Sequence, residues 1–68
     1  GLQFDQLTRT EIPADYIDSV VVKTSKGIFS YEGTIGISQN HYFILFSGDI
    51  EKIVYTDNLG NNYEESYE

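Results

Sequence analysis

Sixty-eight residues carry eleven acids against four bases, with one histidine and neither cysteine nor methionine, for a net charge of −7 and a pI near 4.3. A chain this short buries only about 60% of the surface its unfolded form exposes. It has no disulfide, thiolate metal ligand or cysteine nucleophile to draw on, and a lone histidine excludes a histidine-rich zinc site within one chain. Oligomerisation, partner binding or unusually good packing must supply what a small core lacks.

Residues 1–19 form an N-terminal segment without strand alternation. In LTRTEIPADYIDSV (7–20), Pro13 suits the first turn of a short helix, which we predict with Ile12, Tyr16 and Ile17 pointing inward. Residues 20–56 read as a β core. SVVVKT (19–24) predicts a strand, and SKG follows as a tight connection with Gly27 free to take a positive φ. In IFSYEGTIGIS (28–38), Phe29, Tyr31, Gly33, Ile35 and Ile37 alternate with Ser30, Glu32, Thr34, Gly36 and Ser38, the period of a half-buried strand. Gly33 and Gly36 inside it predict a bend or bulge.

Gln39-Asn40 makes the next turn, HYFILFS (41–47) predicts a third strand, and Gly48-Asp49 turns the chain into IEKIVYT (50–56), a fourth. Residues 57–68 are an acidic turn and tail, in which DNLGNN (57–62) is rich in turn formers and NYEESYE either pairs as a short fifth strand or trails. The whole reads as a single small domain, 1–68. We expect a mostly β fold: a small antiparallel five-stranded bent sheet or partly open barrel, preceded by a short N-terminal helix.

The third predicted strand is apolar on both faces, with Tyr42, Ile44 and Phe46 on one side and His41, Phe43 and Leu45 on the other. A strand of that kind is covered on both sides, and one short helix is little cover. We therefore expect Tyr42, Phe43, Ile44, Leu45 and Phe46 to mediate self-association into a dimer or higher oligomer. His41 reads as a packed or hydrogen-bonded residue, because no second histidine or cysteine joins it.

Little here reads as enzyme chemistry. No elbow exposes Ser38 beside His41 as a nucleophile, and no glycine-rich loop leads into a helix. Asp57 to Glu68 has the length of a calcium loop, but Leu59 and Asn62 stand where that loop needs an oxygen ligand and a glycine. We expect no catalytic residues, no cofactor and no metal. No run reaches the roughly 18 apolar residues of a membrane span, and no signal peptide is recognisable, so we expect a cytoplasmic protein without a membrane partner. The chain begins at Gly1, which reads as a start already removed or a domain cut from something longer.

Charge is distributed unevenly. Residues 1–34 hold three bases against five acids, whereas residues 35–68 hold Lys52 alone against Asp49, Glu51, Asp57, Glu64, Glu65 and Glu68. Such a field repels phosphate backbones and attracts basic partners. The bases are scattered rather than gathered into a patch, so direct nucleic-acid binding is not expected.

VVVKTSKG (20–27), YEGTIGI (31–37) with its glycine at the bend, and the apolar HYFILF (41–46) together resemble the Sm-like family, small five-stranded barrels within the SH3-like class. The resemblance covers about residues 10–56 and implies a small bent barrel. It implies no RNA contact: ISQNHY lacks the aspartate of the family's Asp-x-φ-x-Asn turn, and DNLGNN has a glycine without the arginine of its Arg-Gly pair.

Two functions fit this pattern. The first is a non-enzymatic acidic module that binds a basic protein partner and self-associates. The second is a DNA-mimic inhibitor, of the kind phages encode, that occupies the basic nucleic-acid-binding site of a host protein. For either one, the expected partner surface is Asp49, Glu51, Asp57, Glu64, Glu65 and Glu68, with Tyr55, Tyr63 and Tyr67 interspersed as rigid contact area.

Overall fold

The computed structural model describes residues 2–3, 12–39 and 41–67. Its strands are β1 (Leu2–Gln3), β2 (Tyr16–Thr24), β3 (Gly27–Gly36), β4 (His41–Tyr42), β5 (Ile50–Asp57) and β6 (Asn62–Ser66). Four of them form one antiparallel sheet in the order β3-β2-β5-β6, while β1 and β4 pair separately. The sheet does not close into a barrel: among the described residues β3 and β6 are its two open edges. A small antiparallel β fold agrees with the Sm-like resemblance at that coarse level.

β2 is one of the two inner strands, with β5, and is apolar on its inner face while pairing on both sides. Val20 and Val22 are fully buried, and each has a partner in β3 and in β5. The pairing builds inward rows across the sheet. Tyr31, Val20, Tyr55 and Tyr63 form one row, and Phe29, Val22, Ile53 and Glu65 the next. Ile12, Ala14, Ile17, Ile35 and Tyr42 complete the buried core.

The expected bend is present. Register shifts between Ile17 and Ser19, so that Gly33 and Thr34 of β3 oppose Asp18 alone. A Cβ on Gly33 would lie 2.7 Å from the Tyr31 hydroxyl, so the bulge falls where only a glycine admits that ring. Gly27 takes φ +145° at the β2–β3 turn, and β6 pairs with β5, which settles the tail as a strand through Ser66.

Two expectations are corrected. No helix occurs among the described residues: Ile12–Asp15 are irregular and β2 already begins at Tyr16, claiming the residues a helix would need. A β-branched segment with ladder partners on both sides gains more as a strand than as two helical turns. The N-terminal part of that expectation, residues 4–11, lies outside the described residues. The predicted third strand is also cut short. Only His41 and Tyr42 of HYFILFS are paired, with Gln3 and Leu2. A strand needs a neighbour for its backbone groups, and beyond Tyr42 no described strand lies in register with the run. The four-stranded sheet plus a small two-stranded one therefore replaces the expected five-stranded sheet.

Candidate interaction surfaces

The run 43–47 is anchored at both ends. Tyr42 is buried at its start, and at its end the Thr24 hydroxyl donates to the Ser47 carbonyl. The Ser25 amide donates to the Asp49 carbonyl while the Asp49 amide donates to the Ser25 hydroxyl, both at 3.0 Å. Between these anchors the run passes alongside β3 without pairing to it. The gap is a groove of about 420 Å³ lined by Ser30, Tyr31, Phe43, Ile44 and Leu45. A second hollow of about 350 Å³ shares Tyr31 and Phe43 and extends toward Ile35, Gln39 and His41.

Ile44 packs on the core, whereas Phe43 and Leu45 turn outward, 76% and 94% exposed, and Tyr31 is 37% exposed. Of the expected self-association residues, Tyr42 is therefore interior, Ile44 half-buried, and Phe43, Leu45 and Phe46 exposed. His41 is exposed and lines the second hollow rather than packing in the core. Tyr31 escaped the sequence reading as a site residue. Its signal was the alternation that set it on the inner face of an edge strand.

A buried polar chain runs beneath the sheet's inner face. Tyr55 donates to Glu65 Oε2 at 3.1 Å, and Tyr67 donates to the same oxygen at 3.0 Å. Because the single hydroxyl proton of Tyr55 goes to Glu65, the Tyr42 hydroxyl donates to the Tyr55 oxygen. The two rings meet edge to face, centroids 5.9 Å apart at 81°. Burial pushes the ionisation of both phenols well above the ordinary tyrosine range. At the β5–β6 turn, Asp57 accepts from the Leu59 and Asn61 amides at 2.8 and 2.9 Å and from the Tyr63 hydroxyl at 2.9 Å. Burial opposes its charge, but the bonds from Asn61, Tyr63 and Leu59 outweigh it and hold its carboxyl below the usual carboxylate range.

The expected acidic surface is accordingly divided. Asp57 (1% exposed), Glu65 (8%) and Tyr55 face inward, where they organise the fold, and they are corrected from surface to interior. The reason is period and pairing: alternation along β6 puts Tyr63, Glu65 and Tyr67 on one side, and pairing with β5 turns that side to the core. Asp49 and Glu64 are exposed, Glu51 and Tyr63 half-buried, and Tyr67 half exposed. Glu64 pairs with Lys52 at 3.5 Å. Glu68 lies outside the described residues. Among the described residues no group of three His, Asp or Glu side chains is placed to hold a metal ion. No described helix is long and apolar enough to cross a membrane.

The exposed acids among the described residues are spread over the sheet: Asp15 and Asp18 at the start of β2, Glu32 on β3, Asp49 against the β2–β3 turn and Glu64 on β6. No protein-family model, curated protein or solved structure matches the chain.

Proposed function

We propose that this protein is a non-enzymatic binding module that docks a protein partner in the apolar groove beside β3. The observation that carries the reading is the pair Phe43 and Leu45, held outward over an open sheet edge by anchors at both ends of their run. Large apolar side chains grouped on a small surface mark contact sites. An open strand edge offers unpaired amides and carbonyls to an incoming chain. The net charge of −7 contributes at longer range, favouring encounter with basic proteins and disfavouring nucleic acid.

The mimicry reading draws on the carboxylates instead. Among the described acids of residues 49–68 it rests on Asp49, Glu51 and Glu64, because Asp57 and Glu65 serve the interior. Two of the five described acids of that stretch are thus withdrawn from the surface, which breaks up the row of charges a phosphate ladder requires, so docking through the groove is the favoured function.

Parallel affinity captures with three forms of the protein test the choice. Leu45→Glu should abolish recovery of the partner, while the combined Asp49→Asn, Glu51→Gln, Glu64→Gln variant should slow capture at low salt and leave salt-resistant recovery intact. The reverse pattern, loss with the acidic variant and none with Leu45→Glu, would reject the groove.

A further inference from the structure

We propose that the groove's occupant is a second copy of this chain, docked by antiparallel pairing of β3 with β3 across a two-fold axis. This deepens the docking function above and rests on it. The edge itself is the first reason. β3 pairs with β2 on one side only among the described residues, and its ten residues hold no lysine and no proline, the usual guards of an exposed edge. Its one irregularity, the bulge at Gly33 and Thr34, leaves Gly27–Glu32 as an uninterrupted pairing stretch.

Charge fixes the register within that stretch. Glu32 closes that stretch and Lys26 stands in the turn just before it, both exposed and of opposite sign. An antiparallel pairing centred on Phe29 sets each Lys26 opposite the other copy's Glu32. The same register sets Tyr31 opposite Gly27, which makes room for the ring. Cross-strand partners share a face, so both inner faces lie on the same side of the joined sheet. Phe43 and Leu45 of each copy then cover the other's β3.

Long-range repulsion does not forbid the pair. Two four-stranded sheets joined at β3 put the two β6 edges, each carrying Glu64, at the two ends. Seven strand spacings separate them, about 34 Å, far beyond the screening length of about 8 Å at physiological salt. Phe43, Leu45 and Tyr31 leave roughly 400 Å² of side chain open per copy, taking about 200 Å² for each whole side chain. With the paired backbone added, the contact still falls short of the ~800 Å² per side of a standard interface and belongs with the smaller, weaker ones. A dimer of micromolar dissociation constant is the result expected of an area of that size.

Sedimentation equilibrium from about 1 µM to about 1 mM, at about 0.15 M salt, tests the pairing through a charge exchange. Wild type should pass from monomer to dimer. Lys26→Glu and Glu32→Lys should each weaken the homodimer about fivefold or more, since each places like charges opposite one another twice. Mixing the two variants should restore wild-type affinity in a heterodimer, an outcome that a folding defect cannot produce. A wild type monomeric throughout overturns the self-pairing, as does a dimer indifferent to both substitutions or one not restored by mixing. A monomer whose partner recovery is still lost in Leu45→Glu would overturn the self-pairing and leave the docking function standing.

Discussion

The hydroxyl of Tyr55 has two duties, and its removal separates them. Tyr55→Phe leaves a buried carboxylate oxygen of Glu65 short of a donor and the Tyr42 hydroxyl short of its acceptor. The expected loss is roughly 1–3 kcal/mol, read from the urea midpoint. Tyr42→Phe keeps the bond to Glu65 and should lose less, about 0.5–1.5 kcal/mol. The same phenols set an alkaline limit. Their folded ionisation lies above the ordinary tyrosine value, so the unfolded chain releases these protons first. Stability is therefore full below about pH 10 and falls above it, by up to about 1.4 kcal/mol per pH unit for each tyrosine. Thermal unfolding followed between neutral and strongly alkaline pH should show that fall, reduced in Tyr42→Phe. On the acid side the lowered ionisation of Asp57 works in the opposite sense. Its contribution is present above the usual carboxylate range and fades as pH drops through the folded value.

Among the elements, the turn at Gly48 bears most on the groove, because it ends the run 43–47. Gly48 has φ +91°, and a Cβ there would meet the Lys26 amide nitrogen at 2.9 Å and the Ser25 hydroxyl at 2.8 Å. Gly60 has φ +89° with open space around it. Gly60→Ala should therefore cost about 1 kcal/mol of backbone strain, and Gly48→Ala more, up to about 3 kcal/mol; paired denaturation curves give the difference. At this scale much was legible in the sequence. The strands from 19, 28 and 50 were plain from β-branched runs and from alternation, and Gly33 announced its bulge. The short helix at Pro13 and the full strand at HYFILFS were misread for one reason: whether a segment pairs depends on which strand ends up beside it. A central place took Tyr16–Ser19 into β2, and the lack of a neighbour left Phe43–Ser47 unpaired. The two-sided apolar character of that run was nonetheless the signal that led to the groove. Glu65 was misassigned because its charge was read ahead of its period, although Tyr63, Glu65 and Tyr67 alternate onto one face.

At the scale of the whole molecule, sheet order sets the two open edges, β3 and β6, at opposite ends of the sheet. A partner can be held at the first without meeting the second. Leu45 is exposed enough that Leu45→Glu should change stability by no more than about 0.5 kcal/mol, so its effect on association reports contact rather than folding. The Lys52–Glu64 pair between β5 and β6, half exposed and 3.5 Å long, should contribute about 0.5 kcal/mol or less. The most direct test of docking at the open edge is amide hydrogen exchange of the intact protein across a dilution series. The account predicts that amides of Gly27–Glu32 slow as concentration rises while those of β6 stay unchanged. Exchange in β3 that is independent of concentration, or protection that appears at β6 instead, would contradict it.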